Sequence, residues 1–375
     1  MNKSFKLLLY PLISISLTIS TVLHSRSEYS RTSFVIQKIP QDSVTPSKQL
    51  LNKPIDILFA GDTHFEWAIS EMQNKNSVNY PVEEVREVFL ESDFKILNLE
   101  TTISNKAKPV NAKSYVFRSD ISNAALLNYL GINLAVLGNN HTMDMGLDGL
   151  SDTITSLQMQ GIPSTGAGLN FNDAISPFYF NLRGTSFAVI SYNAIEEKQS
   201  TSFDSSSGSA TLTPAIYNQI ARVKKTVDHV IVSAHWGIEY SPRPEKQQIK
   251  IAHSMIDSGA TAVIGHHPHI PQGIEFYKNG IIAYSLGNFL FGSINHYQTD
   301  NFLLKLLFHP EKKIFEGVRI YPITGDYKKF GHKLSILKSD KSENFWKRFY
   351  TQCYELNSRQ LRISIDPRGY GTWLN

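Results

Sequence analysis

Residues 55–64, Ile-Asp-Ile-Leu-Phe-Ala-Gly-Asp-Thr-His, are the stretch that decides the fold. The first six are mostly apolar, a length and composition typical of a buried strand. Asp62 and His64 follow this run, just beyond Gly61. Because α/β folds bind ligands at the carboxyl ends of their strands, the stretch predicts a strand that brings a carboxylate and an imidazole to one point.

Short apolar runs and helix-like segments alternate along the chain after this stretch. Further strands are predicted at 94–99, 133–137, 187–192, 229–234, 261–264 and 281–286. Helices are predicted at 82–92, 121–130, 147–160, 214–227 and 245–258. The alternation predicts an α/β domain whose buried sheets are flanked by helices.

The composition limits the class of protein. With 375 residues, 41% of them hydrophobic, the chain is long enough for one large core and a small appendage. The formal charge of the chain is +4, and residues 1–50 alone, with six basic and two acidic side chains, account for all of this excess. The rest of the chain is neutral on balance, so no nucleic-acid partner is expected. The single Cys353 excludes an internal disulfide and a cysteine-based zinc site.

The N-terminal segment predicts attachment to a membrane. Lys3 and Lys6 precede an uncharged stretch at 7–25, which Arg26 closes. Nineteen residues are just long enough to cross the hydrocarbon core of a bilayer. The small-residue cleavage pattern is missing, which favours an uncleaved signal-anchor over a cleaved signal peptide. The expected location is therefore the cell membrane, with a single pass and the main domain periplasmic or at the cell surface.

These observations divide the chain into four parts. Residues 1–25 are the signal-anchor or signal peptide, and the polar residues 26–54 are a linker. Residues 55–320 form the α/β domain. Residues 321–375, which are basic and aromatic, form a small C-terminal extension packed on it.

Metal-ligand types recur where the predicted strands end. The motifs are Asp62-x-His64, Asn98-Leu99-Glu100, Asn139-Asn140-His141, His235-Trp236-Gly237 and Gly265-His266-His267-Pro268-His269. A single Asp-x-His is more often a turn or a helix cap than a metal site. Five such motifs in order, without sulfur, predict a site for Mn, Fe, Zn or Co.

This order of motifs resembles the calcineurin-like metallophosphoesterase superfamily and, more closely, the CapA or poly-γ-glutamate capsule biosynthesis family. The closer match is also carried by Phe117-Arg118, Gly166-Ala167-Gly168, Gln272-Gly273 and Tyr284-Ser285-Leu286-Gly287-Asn288-Phe289. It covers residues 55–291. The resemblance implies a layered α/β/β/α sandwich with two divalent metal ions at the strand ends.

The resemblance also implies roles for individual residues. The implied metal ligands are Asp62, His64, Glu100, Asn140, His235, His267 and His269. Of the two adjacent histidines His266 and His267, the two-residue spacing to His269 favours His267 as the metal ligand. His141 is the implied general acid.

Three further residues complete the expected site. Arg118 is a candidate for binding an anionic group of the substrate, with a surface salt bridge as the alternative. Asp144 and Glu239 are expected to orient imidazoles, because a metal-bound histidine commonly donates its other N–H group to a carboxylate.

Two functions remain open at this stage. In the first, the protein hydrolyses a phosphoester or a γ-glutamyl amide during capsule synthesis. In the second, it binds an anionic polymer for export, without catalysis, through a structural or vestigial metal site. The expected partners are the anionic polymer or phosphoester substrate and membrane proteins of capsule synthesis or export.

The predicted anchor is tested by alkaline extraction of membranes from cells that produce the full chain. We expect the protein to stay in the membrane pellet at full length, because residues 7–25 hold it in the bilayer. Release of a shortened chain into the soluble fraction would instead show that the segment is a cleaved signal peptide.

Overall fold

A computed structural model describes residues 53–110, 113–195, 201–202, 208–293, 299–325, 332–356 and 362–374. The predicted signal-anchor lies outside these residues, as does nearly all of the predicted linker. Within the described ranges, no helix has the length and apolar character that a membrane span requires.

The elements alternate between strands and helices, as the sequence predicts. The strands are β1 (Ile55–Thr63), β2 (Phe94–Leu99), β3 (Thr102–Ile103), β4 (Arg118–Ser119), β5 (Leu134–Val136), β6 (Ser164–Thr165), β7 (Ala167–Gly168), β8 (Phe178–Leu182), β9 (Thr185–Asn193), β10 (Thr201–Ser202), β11 (Gly208–Ala210), β12 (His229–His235), β13 (Ala262–His266), β14 (Ile274–Tyr277), β15 (Gly280–Ala283), β16 (Asn288–Leu290), β17 (Asn301–His309), β18 (Ile314–Ile323), β19 (Ser364–Ile365) and β20 (Gly371–Leu374). The helices are α1 (Ala68–Lys75), α2 (Arg86–Leu90), α3 (Ser122–Tyr129), α4 (Gly146–Met159), α5 (Phe171–Ile175), α6 (Ala215–Lys224), α7 (Lys246–Asp257) and α8 (Ser339–Glu355), with a 3₁₀ turn at Tyr80–Val82. The mixed α/β fold is therefore confirmed.

Two large sheets dominate the described residues. The first has the order β19-β20-β18-β17-β1-β2-β5-β6, and β16 also pairs with β1. The second has the order β14-β15-β13-β12-β9-β8. Parallel pairing joins β1 to β2 and β16, and β2 to β5; it also joins β9, β12, β13 and β15. The carboxyl ends of these parallel strands carry the predicted motifs.

The apolar side chains form three clusters that separate four layers. One cluster packs helices α1 to α4 against the first sheet, and another packs α6 and α7 against the second. The middle cluster lies between the two sheets and includes side chains of α8. The order of layers is therefore helices, sheet, sheet, helices.

The alternation of side chains along residues 57–60 explains why this part of β1 is apolar. Ile57 and Phe59 point into the middle cluster, whereas Leu58 and Ala60 point toward the outer helices. A strand with both faces buried has no position for a solvated side chain until it ends. The first polar residue after this run, Asp62, is consequently at the edge of the sheet.

The C-terminal residues are built into the layers. The boundary expected at residue 320 falls inside β18, and β20 pairs with that strand. In α8, Phe345 and Phe349 lie one helical turn apart on the face that enters the middle cluster. The spacing of these aromatic residues indicates a helix, but it does not say which cluster they fill.

Close backbone contacts beside the strand ends generate a testable prediction. A Cβ atom at Gly265 would lie 1.9 Å from the Tyr284 carbonyl oxygen, whereas a Cβ at Gly184 would meet nothing within 4 Å. We expect Gly265→Ala to destabilise the fold by about 3 kcal/mol or more, as overpacking does. Gly184→Ala, a turn position with φ of +82°, should cost about 1 kcal/mol through backbone strain alone. Urea denaturation measures both, and equal losses would contradict the steric argument.

Candidate metal centre

The site forms where the carboxyl ends of both large sheets meet. Asp62 pairs in register with Asn98 on one side and with Asn288 on the other. Both pairings are irregular next to Asp62, as often occurs where a strand aims a side chain at a site. In the second sheet, His235 pairs in register with His266.

The buried carboxylate of Asp62 contacts both sheets. Its Oδ1 accepts a hydrogen bond of 2.9 Å from Asn98 Nδ2, and its Oδ2 accepts one of 3.0 Å from the backbone N–H of His267. The Nδ1 atoms of His266 and His269 each lie 3.3 Å from this carboxylate. Burial alone would raise the pKa of Asp62, but hydrogen bonds from these two imidazoles outweigh it and hold the pKa well below its usual value. Asp62 is therefore a carboxylate in the folded protein.

Glu100 and Asn140 face His235 from the first sheet. The Nε2 atom of His235 lies 2.8 Å from Asn140 Oδ1 and 3.6 Å from Glu100 Oε1. Burial, followed by repulsion from His267, lowers the pKa of His235 well below its usual value. Its imidazole is consequently neutral, which is the form that binds metal ions.

His267 and His269 occupy an unusual stretch of backbone. Their φ angles are 95° and 60°, values that residues other than glycine rarely adopt. Burial and the neighbouring His269 lower the pKa of His267 to about 3. Burial also acts to lower the pKa of His269, but the hydrogen bond and charge of Asp62 reverse the direction and raise it. Strained backbone of this kind commonly occurs at functional sites.

These side chains form two overlapping groups that could hold metal ions. Glu100, His267 and His269 each bring one ligand atom within 4.8 Å of the others, as do Asp62, Glu100 and His235. The Nδ1 atom of His267 is buried without a hydrogen-bond partner among the described residues, so a cation would satisfy it. The donor set of carboxylate oxygen and imidazole nitrogen suits divalent transition metals. The residues therefore fit such ions.

His141 lies next to these groups and is held by Asp144. His141 Nδ1 is 2.7 Å from Asp144 Oδ2, and its Nε2 is 3.8 Å from Glu100 Oε1. Asp144 also accepts hydrogen bonds from the backbone N–H of Phe117, at 2.7 Å, and from Lys113 Nζ, at 2.8 Å. Asp144 therefore lies within hydrogen-bonding distance of the His141 ring.

Glu239 and Arg118 are exposed, whereas Asp144 is buried. The side chain of Glu239 is exposed, and its charge acts to raise the pKa of His269. Arg118 is exposed beside a cleft of about 570 Å³, which Glu66 and Trp67 also line. Its Nη1 donates a hydrogen bond of 3.3 Å to the carbonyl oxygen of Ala107.

His64 is buried but belongs to neither group of candidate ligands. Its ring packs against Phe117 and Phe291, with centroid distances of 4.5 and 3.9 Å. Burial, with repulsion from His141 and His269, lowers the pKa of His64 well below its usual value. His64 therefore lies beside the centre, two residues after Asp62, but it does not belong to the groups that contain Asp62 and Glu100.

Three residues of the centre were missing from the sequence-based list: Asn98, His266 and Asn288. Asn98 could have been found, because side chains alternate along a strand and Asn98 therefore shares a face with Glu100. His266 was set aside because the spacing to His269 favoured His267. Asn288, whose Oδ1 lies 3.0 Å from His269 Nδ1, depends on the pairing of β16 with β1, which no local pattern reveals.

Fold and site together define an α/β protein with a buried candidate metal centre at the strand ends. Residues 56–293 match the model of the family described as bacterial capsule synthesis protein PGA_cap. The chain belongs to this family, which confirms the resemblance seen in its motifs.

Two relatives show the extent of the similarity. The capsule biosynthesis protein CapA of Bacillus anthracis is 30% identical over 258 residues, which cover 67% of this chain and 63% of that protein. The PGA biosynthesis protein CapA of Bacillus subtilis (strain 168) is 29% identical over 236 residues, which cover 62% of each. The chain thus spans less than two thirds of the length of the curated relatives that it matches.

Solved structures are more distant. A phosphatase from Mycoplasma pneumoniae is 14% identical, with a TM-score of 0.45, over 75% of this chain and 99% of that chain. The NAD nucleotidase of Haemophilus influenzae is 15% identical, also with a TM-score of 0.45, over 84% and 57%. No functional conclusion rests on similarities of this size.

The candidate metal centre is tested with Asp62→Asn, which keeps the shape of the side chain and removes its charge. We expect its affinity for Mn²⁺ or Zn²⁺ to fall by at least about tenfold relative to the wild type. Asp257→Asn, at an exposed position on α7, is the matched control and should bind as the wild type does. Elemental analysis after mild chelation and refilling measures the bound metal. A wild-type protein that takes up no metal, with unchanged thermal stability, would contradict the assignment.

Proposed function

We propose that the protein is a metal-dependent hydrolase that acts on an anionic polymer, or on its phosphorylated precursor, during capsule synthesis. The observation that carries this proposal is the arrangement of His141. A histidine held by a buried carboxylate stands next to two groups of candidate metal ligands. This combination is typical of hydrolytic sites, in which a proton donor must lie beside the bond that breaks.

The metallophosphoesterase pattern that the motifs resemble divides the candidate ligands between two positions. By that pattern, Asp62, Glu100 and His269 would hold one ion, and Asn140, His235 and His267 would hold the other. The ligand atoms that lie nearest one another group differently: Glu100 with His267 and His269, and Glu100 with Asp62 and His235. When bound, such ions act as Lewis acids that polarise a phosphoryl or carbonyl oxygen.

The residues around His141 determine where its proton is held. Asp144 Oδ2 lies 2.7 Å from His141 Nδ1, so this carboxylate accepts a hydrogen bond from Nδ1–H and fixes the orientation of the ring. Nε2 then faces the centre, on the side of Glu100. Lys113 donates one 2.8 Å hydrogen bond to Asp144 and another to the carbonyl oxygen of Asn140. It therefore connects the carboxylate to the backbone of a candidate ligand. The proposed general acid is the imidazolium form of the ring, whose charge Asp144 balances and whose Nε2 proton passes to the leaving group.

The substrate class in this proposal comes from the family. The name of the Bacillus subtilis relative refers to PGA biosynthesis, and an acidic polymer of that kind has amide bonds and many carboxylates. Arg118, at the cleft that Trp67 and Glu66 line, is the proposed contact for an anionic group. A γ-glutamyl amide and a phosphoester both present an oxygen that a cation pair can polarise. The extracytoplasmic location expected from residues 7–25 is part of the same proposal.

The proposal is tested with His141→Ala in the metal-loaded protein. We expect metal content close to that of the wild type, because Asp144 and Glu100 stay in place. Turnover should fall by about 10²- to 10⁴-fold, the range for losing a general acid. Activity is screened against phosphomonoesters, phosphodiesters and γ-glutamyl peptides. His253→Ala is the control, because His253 pairs with Glu275 and not with residues of the centre.

The same variant separates catalysis from polymer binding in cells. His141→Ala should fail to restore capsule polymer in a deletion strain of the source organism, whereas His253→Ala should restore it. Normal polymer with His141→Ala would contradict the enzyme proposal and leave binding for export as the function. His235→Ala is expected to lose both metal and polymer, because it removes a candidate ligand.

A further inference from the structure

The ring of His64 is fixed in one orientation by its neighbours. It stacks on Phe117 with an interplanar angle of 15°, and the edges of Phe291 and Trp67 close two other sides, at centroid distances of 3.9 and 4.9 Å. The side chain is fully buried. Because these rings leave it little freedom, the partners of its two nitrogen atoms determine what His64 can do.

The Nδ1 atom of His64 is a hydrogen-bond acceptor. It receives a hydrogen bond of 3.1 Å from the backbone N–H of Glu66. A backbone N–H group cannot exchange donor for acceptor, unlike the side-chain amide of an asparagine. The lone pair of Nδ1 is therefore occupied. An imidazole with an unprotonated Nδ1 carries its proton on Nε2.

His269 shows the opposite arrangement, which is the one that a metal ligand needs. Its Nδ1 lies 3.3 Å from a carboxylate oxygen of Asp62 and 3.0 Å from Asn288 Oδ1. Nδ1 of His269 therefore donates, and Nε2, which lies 3.9 Å from Glu100, is the nitrogen left for a cation that displaces its proton. Metal-binding histidines almost always donate their second nitrogen in this way. In His64, the second nitrogen faces a donor instead.

The remaining nitrogen of His64 needs an acceptor. Its Nε2 is buried, and among the described residues it has no hydrogen-bond partner. Burying an N–H group without an acceptor is costly, so a bound molecule is the expected source of one. To ligate a metal through Nε2, the ring would have to move its proton to Nδ1, where it would face the N–H group of Glu66.

We propose that His64 is a substrate-positioning residue and not a metal ligand: its Nε2–H group donates a hydrogen bond to an anionic oxygen bound at the metal centre. This inference rests on the proposed metal-dependent function and deepens it. It assigns the cations to the carboxylates and the other histidines, and it assigns to His64 the recognition of an oxygen on the substrate.

The experiment compares His64→Phe and His64→Gln in the full-length protein. Phenylalanine fits between the aromatic neighbours but cannot donate, whereas glutamine supplies both an acceptor for Glu66 and a donor. We expect both variants to bind metal at the wild-type stoichiometry, measured by elemental analysis after refilling with Mn²⁺. His269→Ala, measured alongside, should lose metal.

Inorganic phosphate is the probe for the donor role, and its affinity for the metal-loaded protein is measured by calorimetry. Phosphate should bind His64→Phe at least about tenfold more weakly than the wild type, as expected for losing a hydrogen bond to a charged group. Binding to His64→Gln should lie closer to the wild type. This recovery distinguishes a donor from a residue that merely packs.

Three results would overturn the inference. The first is metal loss from His64→Gln that matches the loss from His269→Ala, which would make His64 a ligand. The second is unchanged phosphate affinity in His64→Phe, and the third is a metal-loaded wild type that does not bind phosphate. A wild type that binds no metal at all would instead overturn the proposed function. Should His64→Phe fail to fold, His64→Gln still decides whether His64 is a ligand.

Discussion

The rest of the centre depends on the hydrogen bonds and ion pairs that the buried carboxylate of Asp62 makes. It ends the first strand with no exposed surface, and it accepts hydrogen bonds from Asn98 of the same sheet and from the backbone of His267, which follows a strand of the other. A buried charge is costly unless it is paired and hydrogen-bonded. The carboxylate therefore requires the strand ends of both sheets to converge on it, and this convergence brings His266 and His269 into the same space.

Burial and the charge of Asp62 together set the electrostatics of the centre. Burial disfavours the charged imidazole, and neighbouring histidines add repulsion, so the pKa values of His235 and His267 lie below the usual range although Asp62 acts to raise them. His269 is the exception, because Asp62 stabilises its charged form. Two neutral imidazoles beside carboxylates are ready to accept cations, since no proton has to leave these two rings first.

Close packing of backbone gives the strand ends their positions. A Cβ atom at Gly61 would lie 1.9 Å from the carbonyl oxygen of Gly287, and Gly265 is equally close to Tyr284. The contact at Gly61 lets β16 lie against β1, so that Asn288 reaches His269. Glycine is required because a side chain at either position would separate the backbones. The glycine of each motif thus positions the polar residues that follow it.

The sequence by itself determined the α/β class, the order of the main strands and helices, and the residues at the strand ends, because apolar periodicity and the position of the first polar residue after a run are local properties. It did not determine β17 and β18. These strands pair with each other as neighbours in the chain, but β17 also pairs with β1, which is far away in the sequence. Tertiary structure alone placed Asn288 beside His269 and set a backbone N–H group against Nδ1 of His64. The chemistry of an imidazole depends on which atoms face its two nitrogens. Residue type and spacing do not specify those atoms, because they come from segments that only folding brings together.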